Sequence, residues 1–291
     1  NVVTGPGAEI GEALVSHPRV DRIAFTGGPD AGRAIAEQAA RHMKRVTLEL
    51  GGKSPNIVFD DANPDDAVKG VVAGIFAASG QSCVAGSRLL VQNTVREAFV
   101  RRLVDFVSAA RFGHPSDPAT QIAPISTKPQ MEKIERYVAI ARAEGARLAC
   151  GGERASVPGW PRGLFYQPTI FVDVANDMRI AQEEVFGPVL AVIGFDTEDE
   201  AVAIANDTRF GLAAGVWTAS MRRALAMADR IRAGTVWINN YRMTSTTSPF
   251  GGFKMSGQGR EGGLAGIREF LEVKSVWVST ATEFPDPFVR R

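Results

Sequence analysis

Residues 21–52, "DRIAFTGGPDAGRAIAEQAARHMKRVTLELGG", decide the fold class. "DRIAFTGG" (21–28) reads as a strand ending in glycines, "DAGRAIAEQAARHM" (30–43) as a helix, and "KRVTLELGG" (44–52) as a second strand that again ends in glycines. Strand, helix and strand in that order form a βαβ unit, and its crossover leaves the two strands parallel.

The same alternation continues outward. "NIVFD" (56–60) is a short strand, followed by helical stretches at 64–79, 95–112, 128–145 and 220–234. Strand patterns lie at "QPTIFVDV" (167–174), "VLAVIGF" (189–195), "AAGVWT" (213–218) and "EVKSVWVST" (272–280). The pattern is that of an α/β protein with mostly parallel strands. No repeat of solenoid or propeller length recurs. The Gly/Pro-rich segment 151–168 reads as a surface hairpin or loop. Asn1 is not a start methionine, and "NVVTG" runs straight into strand-like sequence, so we expect a chain cut from a longer one.

Composition narrows the function. Of 291 residues, 45% are apolar and 22% charged, with 33 basic groups against 32 acidic ones. This balance gives no bulk attraction to nucleic acid or anionic membrane. No apolar run is long enough for a membrane span, and no signal-peptide pattern opens the chain. Two cysteines, Cys83 and Cys150, make no disulfide framework, and His17, His42 and His114 lack metal-ligand spacing. We expect no metal and a reducing, cytoplasmic compartment.

Several short segments are candidates for chemistry. In "FTGGPDAG" (25–32) a strand, Gly27-Gly28 and a helix start offer free N–H groups to a phosphate; a plain βα turn with Asp30 as N-cap is the simpler alternative. Glu49, between Leu48 and Leu50 in "LELGGKSP" (48–55), stands at a strand end, where open α/β sheets hold ligands. Burial there raises a carboxyl pKa toward that of a general base, whereas a solvated or paired carboxylate is the ordinary outcome. Cys83 in "GQSCVAGSR" (80–88) follows a helix at a turn of small residues, where N–H groups can stabilise charge on sulfur. A buried small hydrophobe is the competing reading for it, and the one given to Cys150. "QEEVFGPV" (182–189) alone is a capped loop, and the six glycines of 248–263 suit a backbone wrapped closely around a ligand.

Together "FTGGPDAG", "LELGGKSP", "GQSCVAGSR", "EEVFGPV", "INN" and "SPFGGFKMSGQGRE" resemble the aldehyde dehydrogenase superfamily, in that family's order and over essentially the whole chain. The separation of Glu49 and Cys83, 34 residues, is similar to the family's spacing of base and nucleophile. The resemblance implies NAD(P)-dependent oxidation of an aldehyde to a carboxylic acid. Cys83 would form the thiohemiacetal and thioester, Glu49 would activate the hydrolytic water, and Glu261 would relay protons behind it. It implies cofactor contacts at Gly27, Gly28, Gly32, Leu50, Glu184 and Phe186, with Gly28 standing where many relatives have Ser. Substrate contacts would fall at Asn239 and Phe250. NAD or NADP is the implied cofactor, a small aldehyde the partner, and a homodimer or homotetramer the assembly.

In domain terms the resemblance implies an incomplete Rossmann-like cofactor domain over 1–50 and a catalytic α/β domain over 51–255. A return segment and C-terminal oligomerisation β arm would occupy 256–291. The family's oxyanion asparagine, and its Lys and Glu at the adenosine ribose, would precede Asn1. Two alternatives follow: a non-catalytic fragment that keeps only fold and oligomerisation surface, and a CoA-acylating relative, against which Glu49 argues.

Overall fold

The computed structural model describes residues 1–284 and 286–289. The chain opens with α1 (Gly7–Ser16), where the strand-like reading of the first residues does not hold. Strand β1 (Arg22–Thr26), helix α2 (Pro29–Ala40) and strand β2 (Arg45–Glu49) then form the expected unit, with β1 and β2 parallel. Pro29 sits at the first helical position and Gly28, not Asp30, is the N-cap. Proline suits that place because its fixed φ fits the helix and its missing N–H would be unpaired there anyway.

The main sheet begins with β3 (Pro55–Val58). It is followed by α3 (Pro64–Ile75), β4 (Arg88–Gln92), α4 (Asn93–Ser108), α5 (Lys128–Ala143), β5 (Arg147–Cys150) and β6 (Thr169–Val172). After a short α6 (Arg179–Gln182) come β7 (Val189–Phe195), α7 (Glu198–Asn206), β8 (Phe210–Gly211), β9 (Ala213–Trp217), α8 (Met221–Arg230) and β10 (Thr235–Ile238). Seven strands lie in the order β10-β9-β3-β4-β7-β6-β5, and every neighbouring pair is parallel except β5 with β6. Helices on both faces explain why β3 and β9 are buried at every residue, as parallel strands covered on two sides must be. Ile57 and Leu90 point into one apolar core, and Val58, Leu89 and Val91 into the other.

Short strands β11 (Phe253–Lys254) and β12 (Gly257–Gln258) and helix α9 (Gly263–Glu269) complete the elements. β11 pairs with β8, and β12 runs antiparallel to β2, so Gly257 faces Glu49 across the small three-stranded sheet. The C-terminal strand expected over 272–280 does not form. Among the described residues that segment pairs with nothing, and Val273, Val276, Trp277 and Val278 stand exposed. A strand exists only through a neighbour's edge, and this chain offers none there. Residues 285, 290 and 291 of the expected arm lie outside the described residues. Among the described residues no helix is long and apolar enough to cross a membrane.

Candidate active site

Four loops meet where β2 ends. The first is Gly51–Ser54, between β2 and β3, and all four of its residues are buried. The second is the turn before β4 that carries Cys83, and a β-carbon added at Gly52 would lie 2.5 Å from the Cys83 carbonyl oxygen. The third, Glu183–Gly187, supplies Glu184, whose Oε1 accepts the Gly52 N–H at 3.2 Å. The fourth is the glycine-rich segment after Ser248, where a β-carbon at Gly251 would lie 2.8 Å from Glu49 Oε1. Glycine is thus required at 52 and 251 by close approach of backbone to the reactive groups.

Cys83 is half-buried and free. Burial and then the Glu184 carboxylate push its thiol pKa up; the N–H groups of Val84 and Cys83 pull it down, and Glu49 adds a smaller upward push. The resting sulfur is therefore a thiol, with the charges of Glu184 and Glu49 adding to the effect of burial. The turn is fixed from below by Tyr241, which is buried and donates its hydroxyl to the Val84 carbonyl at 2.9 Å. Arg88, at the end of the same motif, is fully buried. Its guanidinium donates to the carbonyls of Lys53 (3.0 Å), Ile204 (2.7 Å) and Ala205 (2.8 Å) and to Asn176 Oδ1 (3.1 Å). Cys150 lies on β5, its sulfur 3.6 Å from the Pro168 carbonyl oxygen, in the role of a small filler.

Glu49 is 4% exposed, and among the described residues neither carboxylate oxygen has a hydrogen-bond partner. Burial first, then the charge of Glu261, raises its pKa to about 7, against the pull of Arg260. A carboxyl with that value is poised to accept a proton near neutrality. Glu261 itself is exposed, and its backbone exchanges two 2.7 Å hydrogen bonds with Phe250, which anchors both beside Gly251.

The expected cofactor residues divide into two groups. Glu184 is driven up in pKa by burial, opposed by the Gly52 N–H and by Lys133, Lys53 and Arg209. Its loop is locked to α5: Gln130 Nε2 donates to the carbonyls of Val185 and Phe186, both at 2.8 Å, and Phe186 sits at φ 59°. The other group lies around α2 and the end of β2, where Gly27 extends the β1–β2 ladder by donating to the Glu49 carbonyl at 3.0 Å. Gly27 and Gly28 are exposed at the helix start, and Gly32 is buried directly against the Leu50 side chain. Leu50 is thereby a packing residue between helix and strand end as well as a neighbour of the site.

Asn239 follows directly on β10. Its side-chain amide makes two bonds to the Thr218 backbone, accepting at 3.0 Å and donating at 2.9 Å, which ties the end of β10 to the residue after β9. The sequence reading passed over Lys53, Gln130, Lys133, Arg88 and Tyr241. Lys53 and Arg88 stand inside motifs already quoted, but burial of a charged side chain is written nowhere in the local pattern. Among the described residues no cluster of three or more His, Cys, Asp or Glu is placed to hold a metal.

Known proteins similar to the chain are aldehyde dehydrogenases. The betaine aldehyde dehydrogenases of Brucella anthropi and Cereibacter sphaeroides are 48% and 49% identical to the chain over 278 residues, covering 96% of it and 57% and 56% of their own length. An NAD-dependent aldehyde dehydrogenase from Sinorhizobium meliloti superposes with a TM-score of 0.95 at 45% identity, over 99% of this chain and 57% of its own. The NAD+ complex of an aldehyde dehydrogenase from Bacillus cereus gives 0.93 at 43%, over 96% of this chain and 56% of its own. The chain thus spans about half the length of the curated relatives it matches. The profile of the aldehyde dehydrogenase family matches residues 1–276, and the chain belongs to that family.

Proposed function

We propose that the chain carries the nucleophile, general base and nicotinamide-side residues of an NAD-dependent oxidation of an aldehyde to a carboxylic acid. The observation that carries this reading is the convergence of Cys83, Glu49 and Glu184 on the Gly51–Gly52 turn. The division into residues 1–50, 51–255 and 256–291, and assembly as a homodimer or homotetramer, belong to the same reading.

The cofactor residues fit what they would hold. Glu184 offers a half-buried carboxylate oriented by a backbone N–H, suited to a vicinal diol, and the exposed start of α2 offers amide donors to a pyrophosphate. NAD, when bound, supplies the hydride acceptor. Cys83 gives its proton to a neighbouring base, and its sulfur attacks the aldehyde carbon to form a thiohemiacetal. Once this carbon is oxidised to the thioester, Glu49 takes a proton from water, whose oxygen attacks the acyl carbon and releases Cys83. Glu261, facing Glu49, is placed to carry that proton toward solvent. A buried base in this position favours hydrolysis over transfer to CoA. Phe250, with its backbone bridged to Glu261, and Asn239 stand as the substrate-side candidates.

Betaine aldehyde, named in the relatives, is the first substrate to try. The test is mass spectrometry of the intact protein after mixing with aldehyde and NAD. A Glu49→Gln variant should accumulate acyl adduct on the Cys83 peptide, and Cys83→Ala should give neither adduct nor NADH. Wild-type turnover in Cys83→Ala would end this reading. Absence of any NAD binding by the 291 residues alone would favour the inert-fragment alternative for this chain.

A further inference from the structure

Besides the two large cores, Ala213 of β9, Trp237 of β10 and Tyr241 form a small apolar cluster, and the residue that packs against it is Val84, the neighbour of Cys83. Trp237 and Tyr241 meet with ring centres 4.7 Å apart, and the Trp237 indole N–H donates to the Met243 carbonyl at 2.8 Å. The Tyr241 side chain fills a slot left by three glycines. An added β-carbon would lie 3.2 Å from the ring at Gly74 of α3, 2.7 Å from it at Gly215 of β9, and 2.9 Å from the hydroxyl at Gly86, just past the Cys83 turn. A leucine could fill apolar space with no polar atom, whereas a buried phenol needs a partner for its hydroxyl. The partner is the Val84 carbonyl, at 2.9 Å. The Ala85 N–H donates to the Ser82 carbonyl at 3.0 Å, so Cys83 and Val84 are the central pair of a four-residue turn. That closing bond leaves the Val84 carbonyl free for Tyr241. On the far side the Gly86 N–H donates to the Gly74 carbonyl at 3.1 Å and ties the chain to α3.

We propose that Tyr241 is a positioning residue for Cys83: by holding the Val84 carbonyl, its hydroxyl fixes the rotation of the turn, and so the direction from which backbone N–H groups meet the Cys83 sulfur. That this sulfur is the nucleophile rests on the function proposed above; that the Tyr241 hydroxyl sets its reactivity does not. The N–H groups of Val84 and Cys83 favour the thiolate, against burial and the charges of Glu184 and Glu49. A turn free to rock loses that help first, because a hydrogen bond is directional and burial is not. Burial raises the Tyr241 pKa, so the hydroxyl keeps the proton that it donates.

The chain carries its own control. Cys83 and Cys150 are both free and half-buried, and Cys150 lies on β5, at the opposite edge of the main sheet from β10. Iodoacetamide labelling across the pH range, read by mass spectrometry of the two peptides, measures each thiol without aldehyde or NAD. Tyr241→Phe keeps the ring and removes the hydroxyl. Labelling of Cys83 at about pH 8 should then slow about three-fold or more, its midpoint rising by about half a unit, since the thiolate is the reactive form. Cys150 should not change. An unchanged or faster Cys83 would overturn the proposal, as would an equal change at both thiols, which would mean general loosening. Gly86→Ala reaches the same contact from the turn side and covers the case in which Tyr241→Phe does not fold. It should slow Cys83 in the same direction, and the double variant should fall well short of the product of the single effects, because both disturb one contact. Full multiplication of the two effects would overturn the shared origin and the proposal with it. With aldehyde and NAD, Tyr241→Phe should lower kcat by a similar factor and leave the KM for NAD within about two-fold. A change confined to KM would overturn the role. Labelling as expected in a chain that forms no NADH would uphold it and count against the function proposed above.

Discussion

A β-carbon placed on Gly52 would lie 2.5 Å from the carbonyl oxygen of Cys83, and that neighbour is backbone. No side-chain rotation can relieve such a contact. Gly52→Ala must therefore displace either the turn that presents the thiol or the N–H that Gly52 donates to Glu184. A misplacement of about 1 Å at a reacting centre costs on the order of 100-fold. We expect kcat to fall by about that factor while the thermal melt moves little, as the change lies in a loop and creates no cavity. A kcat within a few-fold of wild type would show that the turn adjusts freely.

The unpartnered carboxylate of Glu49 makes two measurable statements. In kinetics, Glu49→Gln should spare the first turnover and slow hydrolysis, giving a burst of NADH followed by a slow steady state. Equal loss in both phases, with no acyl-enzyme, would count against Glu49 as the base. In stability, the folded group titrates near 7 against an ordinary value of 4.5. Its contribution is thus fully present below the ordinary value and is lost as pH rises through about 7. That loss amounts to roughly 3 kcal/mol, and Glu49→Gln should be free of it. Urea unfolding of both proteins at acid and at mildly alkaline pH reads the difference directly.

Arg88 presents the opposite case, a buried cation with four of its five N–H donors used. Arg88→Lys keeps the charge but replaces a planar fork by a single ammonium, which cannot reach the carbonyls of Lys53, Ile204 and Ala205 together. With buried acceptors left unpaired, a loss of roughly 3–5 kcal/mol is expected in chemical denaturation. A loss under about 1 kcal/mol would mean that water repairs the site.

The division between what could and could not be read from sequence follows a physical line. The unit 21–52 was legible because each of its strands ends in glycines, whereas the proline start of its helix was passed over for Asp30. Glu49 and Cys83 were legible because a carboxylate among leucines and a thiol among small residues are locally anomalous. The central strand β4, "RLLVQ", was not: a strand buried on both faces shows no alternation, and this one runs without a break from β4 into α4. Helices α1, α7 and α9 were likewise passed over, the last lying in a glycine-dense stretch. Tyr241 and Gln130 act through partners 157 and 55 positions away, so no local window contains their meaning. The hydrogen bonds of Asn239 were hidden for the same reason, its partner Thr218 lying 21 residues earlier.

The two sheets should differ in how firmly they hold together. No residue of β1 is buried, whereas in β4 the first four of five are. β1 is also an edge, paired only with β2, while β4 has a parallel neighbour on each side. Opening the small sheet exposes little apolar surface; opening the large one exposes both cores at once. Glu49 sits in the middle of the small sheet, so its geometry depends on that weaker unit. In the 291-residue chain we expect amide hydrogens of 22–26 to exchange at least ~100-fold faster than those of 88–91. Adding NAD should slow exchange in 45–49 if Glu49 and its sheet are ordered by the cofactor. Equal protection across both strands in the absence of NAD would mean that the small sheet is as firmly built as the large one, and that the base needs no such help.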